Sequence, residues 1–333
     1  MSQTDTATRV AAQFVDHVLG VEHFGEGLIN ETFLVRSSTH DIVLQRLNLE
    51  VFAEPDAVMA NITRVSAFVG GTLVPTPVRT IAGDWLAGEA DEVWRAWKRV
   101  PGGRTELVSS PVIARAAGAL LGRFHSSVAD LDPESIVETI PHFHDPRRRF
   151  DALQRAVAAD SAGRADATRE LIDMATSREP LVELASESLA RVPQRVAHND
   201  AALANMLFVQ DDAICLVDLD TLMPTAWFWD VGDLVRTAAT GQAEDDPSAR
   251  VERDLYAAIH EGYRATAPPM TPAETEAVDL AGMIVTYEQA LRFLTDWLEG
   301  DVYYRVVRPD QNLDRARAQL GLVASMPYTV PDR

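Results

Sequence analysis

The sequence predicts an α+β fold of two lobes, a small antiparallel β-sheet lobe over residues 1–100 and a larger, mainly helical lobe over residues 101–333. Two observations carry this reading. The first hundred residues are dominated by short stretches rich in β-formers, separated by turn residues. After "PGG" at 101–103 the apolar residues switch to helical spacing. The chain has 333 residues and is 47% hydrophobic, enough for a large core.

In the first lobe, "TFLVR" and "IVLQRL" read as strands joined by "SSTHD". Residues 56–69, "DAVMANITRVSAFV", place Val58, Ile62, Val65 and Val69 on one helical face, and Gly70 and Gly71 end that helix. "VPTPV" is a stiff connector, and "RTIAGDWLA" with "DEVWRAWKRV" forms a hairpin across "GEA". In the second lobe, Ser110 caps a helix that has Pro111 at its first position. Ile113, Ala117, Leu120, Leu121, Phe124 and Val128 line its apolar face. Residues 146–191 read as mostly helical. Near 192–220 come short strands around a loop, and "TPAE" at 271–274 is a capping box opening a helix to about Glu299.

The net charge of −20 argues against nucleic acid or an anionic membrane as partner. No apolar run is long enough to span a bilayer. The N-terminus has neither a basic nor an apolar signal region. The lone cysteine, Cys215, excludes an internal disulfide and a cysteine metal cluster, and fits a cytoplasmic protein. Of the 30 basic residues only Lys98 is a lysine, so any lysine-dependent chemistry must run through it. Nothing here predicts the oligomeric state.

The chemistry concentrates in "RVAHNDAALANMLFVQDDAICLVDLD". Two apolar strands are joined by "QDD". Asp200 and Asn205 precede the first strand and Asp218 ends the second, so a hairpin brings the three together. Hard oxygen donors without cysteine suit Mg²⁺ held between protein and substrate phosphates. Asp200 can then accept a proton from a substrate hydroxyl, because acid, four residues and Asn followed by a metal-binding Asp is the spacing of a phosphoryl-transfer loop. His198 is expected to brace the loop. Asp220 is either a second metal ligand or a surface acid. Asp230 and Asp233 in "WDVGDLVR" are expected to cap a helix and brace the catalytic loop. Upstream, "FGEGLINETFLV" is a turn that could lie over phosphates through Gly25, Gly27, Asn30 and Thr32; no G-x-x-x-x-G-K-[ST] is present. His144 in "PHFHD", Arg292, Asp296 and Tyr304 are the candidates for substrate binding, with Tyr303 and Trp297 as further aromatic platforms. For each of these the competing reading is helix packing or a salt bridge.

"HNDAALAN" with "VDLD" resembles the aminoglycoside phosphotransferase and choline kinase group, whose fold is protein-kinase-like. "GEGLINETFLV", "VLQRLNLEVF", "TIPHFHDPRRRF", "VDLDTLMPTAWFWDVGDLVR" and "FLTDWLEGDVYYRVVRPDQNLDRARAQ" resemble the N-acetylhexosamine 1-kinases, over residues 24–320. That resemblance implies transfer of a phosphoryl group from ATP, with Mg²⁺, to the anomeric hydroxyl of GlcNAc or GalNAc. It makes Asp200 the base and Asn205 and Asp218 the metal holders. The small lobe departs from the wider kinase pattern. Where a strand lysine pairs with a helix glutamate, "VLQRL" offers Gln45 and Arg46, and the helix offers Asn61. Arg46 is the expected phosphate contact, with Gln45 the competing candidate by strand phase. Alternatives are the same fold acting on another hexose, an aminoglycoside or an amino alcohol, a non-catalytic nucleotide-binding module, and a phosphohydrolase.

Overall fold

The computed structural model describes residues 3–25, 29–71, 73–89 and 91–327, and in Glu89 the backbone alone. Gly27, named above as a phosphate contact, lies outside the described residues.

The chain opens with α1 (Gln3–Ala11), which the sequence reading did not anticipate, because its mean character is polar and only Ala7, Val10 and Ala11 are buried. Strands β1 (Val18–His23), β2 (Glu31–Ser37) and β3 (Ile42–Arg46) follow as an antiparallel meander. After α2 (Pro55–Val69) come β4 (Pro77–Val78), β5 (Ala87–Glu89) and β6 (Glu92–Lys98). The sheet order is β1-β2-β3-β6-β4, with β5 also paired to β6. β3 and β6 run in the register Gln45↔Arg95, and β2 and β3 in the register Thr32↔Gln45. Alternation therefore puts Thr32, Gln45 and Arg95 on one face. The other face supplies Phe33, Val35, Ile42, Leu44, Trp94 and Ala96, which pack under Ala7, Val10 and Ala11 of α1.

The chain then crosses into the helical part. β7 (Arg104–Thr105) pairs with β9 (Met206–Val209), and β9 with β10 (Asp212–Leu216). β8 (Arg195–Ala197) pairs with β11 (Met223–Thr225). Around these lie α3 (Pro111–Val128), α4 (Pro146–Ala159), α5 (Arg169–Thr176), α6 (Pro180–Arg191), α7 (Phe228–Ala238), α8 (Arg253–Thr266), α9 (Pro272–Glu299) and α10 (Gln311–Ser325). The Ser110 cap accepts from Ile113 N. The Thr271/Glu274 capping box is complete, and Gly300, at φ +99°, ends α9 in the left-handed region that suits glycine. The α2 residues Val58, Ile62 and Val65 belong to the same core as α3 and α9, a core that also takes in Trp97 of β6. No helix among the described residues is long and apolar enough to cross a membrane.

Candidate active site

The hairpin β9–β10 brings the predicted donors together. Met206 pairs with Leu216, and Val217 N donates to Asn205 O at 2.8 Å. Asn205 Nδ2 donates to the Asp200 carbonyl at 2.9 Å and to its Oδ2 at 2.8 Å. With both amide hydrogens committed, the amide oxygen of Asn205 is the atom left to meet a cation. Asp218 sits in the left-handed region at φ 62° and ψ 63°, a conformation that short Asp side chains tolerate, and the residue is exposed.

The electrostatics call for a cation. Crowding by protein pushes the Asp218 carboxyl up to about 8, reinforced by the negative charges of Asp220 and Asp200 and opposed by Arg95. Desolvation also raises Asp200, while Arg236, the Asn205 hydrogen bond, Arg292 and His144 pull it down. Carboxylates that raise one another gain most from a shared divalent ion. No three His, Cys, Asp or Glu side chains among the described residues form a ready-made metal cage. The donor set of one carboxylate and one amide oxygen, from Asp218 and Asn205, thus fits a metal whose remaining ligands are water and phosphate.

The loop holding Asp200 is braced from beneath. Asp230, in the first turn of α7, accepts from His198 N (2.8 Å) and Asn199 N (2.6 Å). It also pairs with His125 Nε2 at 2.9 Å. His198 Nδ1 accepts from Asp200 N (3.2 Å), and its Nε2 lies 2.9 Å from Val217 O, which fixes the tautomer with the proton on Nε2. One buried imidazole thus joins the Asp200 loop to the end of β10. Asp233 does not brace the loop: it pairs with Arg236 of its own helix.

Several expected substrate contacts are placed elsewhere. His144 stacks on Trp229 at 4.6 Å, with Nδ1 2.8 Å from Glu288 Oε2 and Nε2 3.0 Å from Asn199 O. Both ring nitrogens are spent, one on Glu288 of α9 and one on the catalytic loop, so none remains for a sugar hydroxyl. Asp296 accepts from the backbone N–H groups of Val302, Tyr303 and Tyr304 and from Asn312 Nδ2. It is a buried anchor for the loop after α9, not a ligand. Trp297 is covered by Arg164 at 3.8 Å. Arg292 and Tyr304 do stay together, with the Arg292 guanidinium 5.6 Å from the Tyr304 ring, 5.9 Å from Tyr303 and 5.7 Å from Phe143.

In the small lobe, Arg46 is not brought to this cluster. It is held by Glu31 and Glu92, each at 2.9 Å, on the sheet face away from Gln45. Asn61 faces no strand cation; its amide ties α2 to Val137 and to Leu222 O. The cation that does reach the cluster is Arg95, which reading the sequence missed. It is buried, pairs with Asp220, and donates to Gln45 Oε1 through Nε (3.0 Å) and Nη2 (2.9 Å). The available signal was a charge at the Gln45 phase inside "EVWRAWK". Asn30 also reaches Asp220, at 2.7 Å. Thr32 meets Gln45 at 3.3 Å, and Gly25 has φ +75° in the turn before β2.

A sheet lobe set over a helical lobe, with an acid–amide–acid hairpin in the cleft between them, defines a kinase-like phosphoryl-transfer enzyme. The chain belongs to the phosphotransferase enzyme family, whose model matches residues 20–269, and it is a phosphotransferase with a hydroxyl group as acceptor. Solved structures share the fold at low identity. An amicoumacin kinase, hAmiN, in complex with AMP-PNP, Ca²⁺ and Ami, is 14% identical with a TM-score of 0.65, covering 96% of this chain and 93% of that one. A microcompartment-associated aminopropanol kinase is 15% identical (TM-score 0.61), covering 95% and 94%. The choline kinase LicA from Streptococcus pneumoniae is 12% identical (TM-score 0.62), covering 97% and 100%.

Proposed function

We propose that this chain is a cytoplasmic ATP- and Mg²⁺-dependent sugar kinase that phosphorylates the anomeric hydroxyl of an N-acetylhexosamine, GlcNAc or GalNAc. The observation that carries the phosphoryl-transfer part is the convergence of Asp200, Asn205 and Asp218 on one hairpin end. The sugar part rests on the resemblance of the five sequence blocks. Asp200 orients the acceptor hydroxyl and takes its proton as the new O–P bond forms and ADP departs. Asn205 and Asp218 would hold Mg²⁺, which supplies charge neutralisation on the transferring phosphoryl group. Gly25 lies in the turn before β2 that would cover the donor, with Asn30 at its end and Thr32 at the start of the strand.

A second reading keeps the reaction and changes the acceptor to an aminoglycoside or an amino alcohol, as in the names of the related structures. One observation favours the neutral sugar. Arg292 lies near enough to Asp200 to lower its carboxyl, and Tyr303 and Tyr304 flank it. A guanidinium beside the base disfavours a cationic acceptor. The test is incubation with MgATP and a panel of GlcNAc, GalNAc, glucose, galactose, glucosamine, an aminoglycoside and choline, reading ADP release together with the phosphorus NMR spectrum. An anomeric phosphate from an N-acetylated hexose supports the proposal. Turnover only with another acceptor replaces the substrate, and free phosphate in place of a sugar phosphate points to hydrolysis.

A further inference from the structure

Asp220 is two residues from the metal-binding candidate Asp218, yet its carboxylate faces the other lobe. Its Oδ1 pairs with Arg95 of β6. Its Oδ2 accepts from Asn30 Nδ2 at 2.7 Å, immediately before β2. All three side chains are buried, and each partner is held in turn. Gln45 Oε1 accepts from Arg95 and also from Trp97 Nε1 at 2.7 Å. Asn30 Oδ1 accepts from Asn48 N at 3.1 Å. The carboxylate of Asp220 therefore has a small-lobe partner on each oxygen. It stands on the segment that leaves the catalytic hairpin, between Asp218 and the Thr221 hydroxyl that donates to His198 O at 2.7 Å.

We infer that Asp220 is an interlobe clamp rather than a metal ligand, and that Arg95 and Asn30 are the positioning residues it grips. A nucleotide held between the lobes needs the sheet at a fixed height above the hairpin. The clamp sets that height with one buried ion pair and one buried hydrogen bond, both within reach of the metal-side acid. A buried pair of this kind is costly to leave half made, so the lobes should part when one member is removed. The inference deepens the kinase reading and rests on it for the nucleotide part alone.

The test reads lobe separation and ligand affinity on the same variants. Spin labels at Ser38→Cys and Ser161→Cys, in a Cys215→Ser background, report the interlobe distance by pulsed electron resonance. Calorimetry reports affinity for adenosine and for MgADP. Asp220→Asn and Arg95→Gln are expected to lengthen the distance and to weaken adenosine and MgADP by similar factors, about tenfold. Asn30→Ala, which leaves no buried charge unpaired, is expected to act in the same direction by a smaller factor and covers the case in which the charge variants do not fold. An unchanged distance overturns the clamp. So does a loss confined to MgADP, since that is the signature of a metal ligand. Failure of the unsubstituted protein to bind either ligand would sink the kinase reading, while the distances would still decide the clamp.

Discussion

Asn205 gives both of its amide hydrogens to Asp200, one to the backbone carbonyl and one to the carboxylate. The base candidate and the metal candidate are thus a single rigid unit. The hydrogen bond favours the charged form and so opposes the desolvation that raises this acid. Asp200→Asn keeps the shape and removes the proton acceptor. Turnover is expected to fall by on the order of 10²–10⁴-fold, with MgADP affinity by calorimetry close to that of the unsubstituted protein. A variant that kept most of its kcat would take Asp200 out of the base role.

Asp218 is expected to act on the other side of the transfer. Its carboxyl is pushed up by crowding and by Asp220 and Asp200, a cost that a divalent cation would remove. Asp218→Ala should weaken MgADP by about tenfold or more and leave metal-free ADP unchanged, since a lost charge-assisted metal contact is worth well over 1 kcal/mol. Equal affinities in the presence of Mg²⁺ would move the metal elsewhere.

His144 gives a way to separate bracing from substrate contact. Its ring links Glu288 to the carbonyl of Asn199, next to the base. His144→Ala leaves Glu288 buried without that partner, at a cost of about 1–3 kcal/mol. The expected result is a lower unfolding midpoint and a reduced kcat with little change in acceptor KM. A raised acceptor KM with unchanged kcat would return His144 to the substrate.

How far the sequence discloses the site depends on the range of the interactions. The Asp200–Asn205–Asp218 group is legible because one hairpin, within one segment, makes it. The capping box at Thr271 and the helix faces of α2 and α3 are legible for the same local reason. The network of Arg95, Asp220 and Asn30 joins three distant segments. It becomes visible only once the β3–β6 register sets Gln45 against Arg95. Arg46 is the cation in the strand where the kinase pattern has its lysine, yet alternation along the strand turns it to Glu31 and Glu92. Asp296 and His144 are polar residues whose partners include backbone groups of loops later in the chain, and no pattern of side-chain types discloses those. α1 carries too little apolar signal to be read without the sheet it covers.

The helical part also carries a testable packing constraint. α3 and α8 cross where Gly118 and Gly262 remove their side chains: a Cβ on Gly118 would lie 2.2 Å from Ile259 O, and one on Gly262 would lie 2.1 Å from Arg115 O. Backbone cannot yield as a side-chain tip can. Gly118→Ala should therefore destabilise the protein by about 1–3 kcal/mol or more despite alanine's better helix propensity. Urea unfolding gives the sign: a stabilised variant would show that the two helices are not in this contact.

His260 predicts how stability responds to pH. It is buried in α8, its ring tilted against Tyr256 with centroids 4.4 Å apart, and neither ring nitrogen has a hydrogen-bond partner. Burial, helped by the charge of Arg264, lowers its pKa from the usual 6.5 to about 4. Between those values the unfolded chain binds a proton that the folded chain refuses, so stability falls as pH drops from 6.5 toward 4. Each such group contributes a slope of at most about 1.4 kcal/mol per pH unit. His125 and His198, whose pKa values are lowered chiefly by burial, act in the same direction. His260→Leu removes one of the three protons without opening a cavity of any size. Unfolding free energies from urea titrations at pH 7.5, 6 and 5 should show a shallower decline for the variant than for the unsubstituted protein. Parallel declines would mean that the His260 imidazole is already protonated in the folded state over this range.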